Sequence, residues 1–463
     1  MANIRYILSD ELKKKRFRLP AGAVLALGFV ALIALGSFLL FLPIANTFPQ
    51  HGPSEYFDCL FTSVSCVCVT GLSTVTVVTT FTLFGQAVML ILIQIGGLGF
   101  MTAAVLLSRI LRRRITPREQ IIAAQACGVD VGVDVRKVIN DVIRRTAIIE
   151  GVGALLLTAQ MWRYTDGFFT SLWYSLFHSV SAFCNAGFDL FNFESGSLTG
   201  LSQNPYILII LMILIAVGGI GFVVWDDVLC RLRDHTDKLS VYTKFIFIVS
   251  ASLFLFSSVY TFLIERNNPE TLGSMNLFDQ IVNSCFHGVT LRTAGFATFH
   301  NGGMSDAEKL MSCVMMFIGG CSGSTAGGIK VGTIGIIVFA VFRFSFGRKN
   351  LNVWHRKIDQ QVFMRAVSLF FIGLFVVLVS TGVFSAIEGK PVIDLFYEVA
   401  SAFGTVGLST GLTPTLTFAT KTLLLFLMYF GRVGVLTVTT SFTAKSTEND
   451  YGMQYPTTAF YVG

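Results

Sequence analysis

Apolar residues run along this chain in long unbroken stretches, and polar and basic residues collect between them. A helix needs about 20 apolar residues to cross a hydrocarbon core. Eight stretches meet that length: 21–45, 81–108, 138–161, 206–230, 242–264, 309–342, 359–386 and 421–443. Each predicts a membrane-spanning helix. The first follows "KKKRFR", as a secretory signal would, but it is too long for a signal core and no clear cleavage site follows it. It reads as a retained span.

Shorter apolar runs lie between spans one and two, three and four, five and six, and seven and eight. They read "FDCLFTSVSCVCVTGLS", "SLWYSLFHSVSAFCNAGFD", "LFDQIVNSCFHGVTLRTAGFA" and "DLFYEVASAFGTVGLST". Each is a helix-like run closed by a small-residue strand with a glycine: Gly71, Gly187, Gly295 and Gly407. The glycines recur about every 110 residues, a near-constant period that marks internal repetition. The following spans echo one another as well, with "IGGLGF" at 95–100, "VGGIGF" at 217–222, "IGGCSGSTAGGIK" at 318–330 and "FGRVG" at 430–434.

The short runs cannot cross a bilayer. Non-helical backbone survives at membrane depth only when buried in protein or lining water. The expected fold is therefore an all-α integral membrane protein. Its eight transmembrane helices form four tandem helix–pore loop–helix repeats around one central pore. The divisions are 1–112, 113–236 (a cytoplasmic linker and the second repeat), 237–350 and 351–463 (the fourth repeat and a C-terminal tail).

Composition agrees. Of 463 residues, 53% are hydrophobic and 13% charged, with mean hydropathy +0.69 and 44 phenylalanines. Soluble domains carry about 25% charged residues. No long polar segment exists to hold a soluble catalytic domain. Most of the 34 Lys and Arg fall on the side of the termini, while the opposite side carries Arg163, Arg266, Arg292, Lys309, Lys390 and Lys421. Both termini are thus expected in the cytoplasm of a multi-pass plasma-membrane protein. The formal charge of +7 reflects this topology rather than affinity for nucleic acid.

The nine cysteines are scattered. Cys66 and Cys68 lack the second pair or the histidines of a zinc site, and they read as small hydrophobes. No metal beyond a transported ion is expected.

A dehydrated cation needs oxygen ligands, and rings of backbone carbonyls supply them in potassium filters. Backbone then matters more than side chain, and glycine is permissive at positive φ. The candidate filter residues are Val69, Thr70 and Gly71; Asn185, Ala186 and Gly187; Thr293, Ala294 and Gly295; Thr405, Val406 and Gly407. No carboxylate precedes these glycines within three residues, so an acidic ring is not expected there. Four surface turns are the competing reading, and the constant period argues against it.

With its four loop glycines, "SAFCNAGF", "RTAGF" and "GGCSGSTAGGIK", the chain resembles the Trk/Ktr/HKT superfamily of potassium transporters, and most closely the Ktr-type membrane subunit. The resemblance covers nearly the whole chain. It implies one filter glycine per loop, with serine at the first position accompanying sodium selectivity. It implies a homodimer with one pore per subunit, and a cytosolic ring of nucleotide-binding, RCK-type regulators. It also allows stimulation by sodium.

The resemblance further implies that Gly319, Gly320, Cys321, Ser322, Gly323, Ser324, Thr325, Ala326, Gly327 and Gly328 form an intramembrane gating loop below the filter. Five glycines make this stretch a poor helix, so a break in the sixth span is expected. Tight helix packing through small residues is the alternative. A phosphate loop fits poorly, because Ile329 separates Gly328 from Lys330.

Arg432, within the last span, is a functional candidate by depth alone. It is expected to face the pore and bind gating-loop carbonyls, with structural packing as the alternative. Glu398 is either its partner or a structural ion. His178 and His287 are expected to pack. Asp226 and Asp227 read as a solvated or dipole-facing pair. The basic segments 109–118 and 343–357 are candidate regulator contacts. A secondary porter with inverted repeats fits less well, because two-span units all share one orientation. No nucleophile–base constellation suggests an enzyme.

Overall fold

The computed structural model describes residues 21–99, 135–165, 167–191, 197–234, 239–348, 350–354 and 356–434. The chain is mostly helical. Its longer helices are α1 (Ala21–Phe41), α2 (Pro53–Cys68), α3 (Leu83–Leu98), α4 (Val135–Met161), α5 (Phe168–Phe183), α6 (Pro205–Ile220) and α7 (Phe222–Asp234). They continue as α8 (Val241–Glu265), α9 (Leu277–Thr290), α10 (Asp306–Phe317), α11 (Val331–Ser345), α12 (Gln360–Glu388), α13 (Val392–Gly404) and α14 (Phe418–Tyr429). A π turn, Phe430–Gly434, extends α14.

Short polar side chains start many of these helices. Asn204, Ser240, Asn276, Ser305 and Thr417 each accept a hydrogen bond from a backbone amide three residues on. Such caps satisfy donors that the first turn leaves without a partner. They place helix starts tightly even where the surrounding sequence is apolar throughout.

By length and composition, α8 and α12 can cross a membrane, and α6 with α7 qualifies as one bent span. The outer face of α12 exposes Phe371, Phe375, Leu378 and Val379. Such a stripe suits a hydrocarbon surrounding rather than water.

The short helices α2, α5, α9 and α13 hold the core. Each packs on the long helix before it: α2 on α1, α5 on α4, α9 on α8, α13 on α12. Each also packs on a helix from another part of the chain: α2 on α14, α5 on α3, α9 on α6, α13 on α10. The last helix thus returns to the first short one, and the packing closes into a circle. From Phe61, Phe177 and Tyr397 onward, α2, α5 and α13 are buried to their C-terminal ends.

The fourth apolar stretch departs from expectation. The sequence predicts one continuous span over 206–230. The chain instead forms α6 and α7, which meet at 99°. Gly221 makes the corner with φ of 101°. A β-carbon there would lie 2.7 Å from the Ser322 carbonyl oxygen. Conformation and space both demand glycine at this position. Gly99, in the matching "GGLG" position, also has positive φ, 87°. The remainder of the stretch 81–108, the segment 109–118 and the end of the stretch 421–443 lie outside the described residues.

The break expected in the sixth stretch falls between Phe317, where α10 ends, and Val331, where α11 begins. Basic segment 343–357 carries the end of α11 and a two-stranded antiparallel hairpin, β1 (Asn352–Val353) with β2 (Arg356–Lys357).

Candidate functional site

The four short helices α2, α5, α9 and α13 end one to three residues before the first residue of a candidate triplet. Val69, Asn185, Thr293 and Thr405 all have positive φ, of 57°, 59°, 72° and 52°. Left-handed backbone is unusual for any residue but glycine and a genuine outlier for β-branched valine and threonine. Two residues further on, Gly71, Gly187, Gly295 and Gly407 have φ of 98°, 68°, 82° and 94°. All four segments therefore share the same unusual backbone.

The four segments also meet. A β-carbon on Gly71 would lie 2.5 Å from the Ala186 carbonyl oxygen, and one on Gly187 would lie 2.7 Å from that of Ala294. One on Gly295 would lie 2.5 Å from the Val406 oxygen, and one on Gly407 would collide with that of Thr70. The circle closes, each glycine facing the carbonyl of the residue before the next glycine. A side chain at any of the four would strike a neighbouring backbone.

Hydroxyls lock each segment to its own helix, a feature the sequence reading missed. The Gly71 amide donates to Ser65 Oγ at 3.0 Å, and the Gly407 amide to Ser401 Oγ at 3.1 Å. Ser181 Oγ donates to the Phe188 carbonyl and Thr290 Oγ1 to that of Phe296, both at 2.8 Å. The signal was available as a hydroxyl residue five or six positions before each glycine.

Helix-line glycines brace the same region from outside. Gly96, Gly218 and Gly431 each abut a carbonyl four residues before a ring glycine, those of Val67, Phe183 and Phe403. This explains the repeated glycine in "IGGLGF", "VGGIGF" and "FGRVG". Arg432 occupies the place of the second glycine in that pattern.

On one side of the ring lies a cavity of about 540 Å³ that all four glycines line. Ser73, Thr76, Ser197 and Asn301 give it polar walls, and Asp189 is the one carboxylate among its described lining residues. Asp189 accepts from the Phe191 amide at 3.1 Å and from Ser197. Burial pushes its carboxyl up to about 7, against these hydrogen bonds, which pull it down.

Residues 319–328 form an irregular loop that touches the segments. Gly327 lies against the Thr405 side chain, and a β-carbon on Gly328 would sit 3.2 Å from the Gly404 carbonyl oxygen. The loop closes on itself through the Gly319 amide to the Ile329 carbonyl, 2.8 Å, and Ser324 Oγ to that of Cys321, 2.6 Å. It fastens to α6 through Cys321 N donating to the Gly219 carbonyl at 3.0 Å. Thr325 Oγ1 donates to the carbonyls of Phe183 and Gly218. At the α6–α7 corner, Phe222 N donates to the Gly323 carbonyl at 2.9 Å. The corner and the loop define each other.

Arg432 is buried. Its guanidinium donates to the Thr325 carbonyl of the loop and to the Gly96 and Gly97 carbonyls at the end of α3. No carboxylate pairs with it among the described residues. Lys330 Nζ folds back onto the Ala326 carbonyl at 2.7 Å.

Glu398 has a different task. It accepts from Ser409 Oγ and Thr413 Oγ1 at 2.6 Å and from the Thr410 amide at 2.9 Å. It pins the strand that follows the fourth segment and does not reach Arg432. His287 reaches Ser312 at 3.2 Å and Glu308 at 3.4 Å, linking α9 to α10. His178 packs against Phe191 and donates from Nδ1 to the Tyr174 carbonyl, 2.7 Å away. Asp226 pairs with Arg145, and Asp227 accepts from the Ser240 amide. Cys66 and Cys68 are buried within α2 and the core around it.

This geometry sits in a chain whose relatives are known. A family model described as TrkH, cation transport protein, matches residues 30–451. The chain is 36% identical to the potassium/sodium uptake protein NtpJ of Enterococcus hirae, over 97% of this chain and 99% of the relative. It is also 36% identical to Ktr system potassium uptake protein B of Bacillus subtilis, over 98% of each chain. The crystal structure of the potassium transporter TrkH from Vibrio parahaemolyticus matches with a TM-score of 0.67 at 19% identity, covering 94% of this chain and 87% of that one. That last likeness speaks to fold alone. The family match over most of the length, and near-complete relatives above 30% identity, place the chain in the TrkH family of cation transport proteins.

Proposed function

We propose that this protein takes up potassium across the plasma membrane through a passive pore whose filter is the ring of four segments. The observation that carries the reading is the closed circle of Gly71, Gly187, Gly295 and Gly407 against the carbonyls of Ala186, Ala294, Val406 and Thr70. Carbonyl dipoles in such a ring can replace the hydration shell of a monovalent cation. Thr70, Thr293 and Thr405 also hold buried hydroxyl oxygens without a protein partner, and these are chemically suited to the same ion. The names of the relatives support potassium as the substrate.

In this reading the chain has eight spans, as four helix–pore loop–helix repeats around one pore, and both termini lie in the cytoplasm. Loop 319–328 is the gate. Arg432 holds it shut, since its guanidinium ties Thr325 to the end of α3 and adds a positive barrier to cation flow. The working unit is a homodimer in membrane lipid. A separate cytosolic ring of nucleotide-binding subunits acts on the gate. No catalytic step is involved.

A second reading, a poorly selective or sodium-coupled potassium/sodium transporter, has one specific support: the name of the Enterococcus relative. Flux into liposomes holding the purified chain separates the two, with potassium, rubidium and sodium compared. Potassium and rubidium well above sodium supports the filter. Equal potassium and sodium flux rejects strict selectivity in favour of the second reading.

A further inference from the structure

Beside the gating loop, away from the ring, a cavity of about 360 Å³ lies between α6, α8 and the end of α9. Its walls are aliphatic and aromatic, including Ile209, Met212, Ala216, Phe247 and Ala251. A second cavity of about 410 Å³ adjoins it, and the two share Ile220 and Phe247. Ile209, Ile213 and Phe247 are exposed on the outer surface, which in a membrane faces acyl chains. Water is a poor occupant of so apolar a space.

One charge lines the first cavity, Arg292. Its Nε is buried without a partner. Its terminal nitrogen reaches Ser250 Oγ at 3.3 Å and Cys321 Sγ at 4.0 Å, both weak acceptors for a guanidinium. No carboxylate pairs with it among the described residues. An intramembrane arginine with part of its donor fork unused is costly unless an anion meets it. The planar fork matches a carboxylate in particular.

We propose that this cavity is a binding site for a single-chain fatty acid, its carboxylate on Arg292 and its chain along α6 and α8. The diacyl phospholipid is a poorer fit. Arg292 stands three residues from Gly295 of the ring, which in the proposed function lies at membrane depth, whereas a phospholipid headgroup stays at the interface. The site adjoins the gate. Gly219, in its wall, receives the Cys321 amide of the loop at 3.0 Å, and Ser250 contacts Cys321 Sγ. A carboxylate that captured Arg292 would draw it from Ser250 and Cys321.

The test is photolabelling of the purified full chain in liposomes with a diazirine-bearing palmitate, mapped by peptide mass spectrometry. Label is expected on the peptides holding Ile209–Gly219 and Phe247–Phe254. Oleate should compete for it and oleyl alcohol should not, because only the anion engages Arg292. Arg292→Gln should cut the labelling about tenfold, as loss of a charge-assisted pair of ~1.5 kcal/mol would, and Ala251→Phe, which fills the cavity, should cut it at least as far. Label elsewhere, equal competition by oleyl alcohol, or undiminished labelling of Ala251→Phe would overturn the proposal. The competition arm uses the unaltered chain, so it decides even if Arg292→Gln does not fold.

Discussion

A glycine in the ring answers two demands at once. Gly71 has φ of 98°, and a β-carbon on it would come within 2.5 Å of the Ala186 carbonyl oxygen. Gly71→Ser must therefore push that carbonyl aside and strain its own backbone. We expect it to lower the potassium-to-sodium flux ratio in liposomes. An unaltered ion ranking would remove Gly71 from the filter. The hydroxyl braces give a gentler test. Ser65→Ala leaves the half-buried Gly71 amide without its acceptor, and the ~1–3 kcal/mol cost of a fully buried orphan donor is the upper bound there. Ser65→Ala and Ser401→Ala should both reduce potassium selectivity, whereas Thr62→Ala, whose hydroxyl only donates back to the Asp58 carbonyl within its own helix, should not. Equal behaviour of all three would show that the braces do not set the segments.

At the scale of elements, the irregular parts are held by one another. Loop 319–328 rests on α6, the α6–α7 corner and Arg432. Shortening the loop, or Arg432→Gln, is expected to raise potassium flux in the absence of any regulator. Unchanged flux in both would show that the loop is no barrier. Gly221→Ala should misplace the loop by crowding Ser322, costing ~1–3 kcal/mol in backbone strain, and should raise basal flux in the same direction. Much at this scale was legible in the sequence. Helix-length apolar runs, the five-glycine break and the period of the loop glycines are all local patterns. The corner at Gly221 was not read, because "VGGIGF" lies in an apolar run that also suits a straight helix. Its bend comes from a backbone contact with residues about a hundred positions later. The hydroxyl braces escaped for a related reason. A serine within an apolar helix gives no hint of which amide it will meet. The sequence around Glu398 does not reveal its role, because its partners Ser409, Thr410 and Thr413 lie beyond the end of its helix and meet it only through the fold.

Across the described molecule, four segments of one chain meet in a ring and share the same positive-φ backbone. The stretches beside the ring differ: Arg432 stands where the first two have Gly97 and Gly219, and in the third an irregular loop over 319–328 follows α10. The cavity beside the ring is asymmetric too, since its carboxylate among the described residues comes from one segment, Asp189, and in the proposed orientation it opens to the outside. With its carboxyl raised to about 7, Asp189 is charged above that pH and neutral below it. At low external potassium, flux should fall as external pH drops from about 8 to 6, and Asp189→Asn should be low and flat over that range. The same pH midpoint in Asp189→Asn would assign the effect to another group. The central claim is that the four segments together bind the ion. Its most direct test is an experimental structure determined with thallium in place of potassium, read by anomalous scattering. A peak is expected on the axis enclosed by the carbonyls of Thr70, Ala186, Ala294 and Val406. Thallium bound elsewhere in the molecule, with none inside that ring, would contradict it.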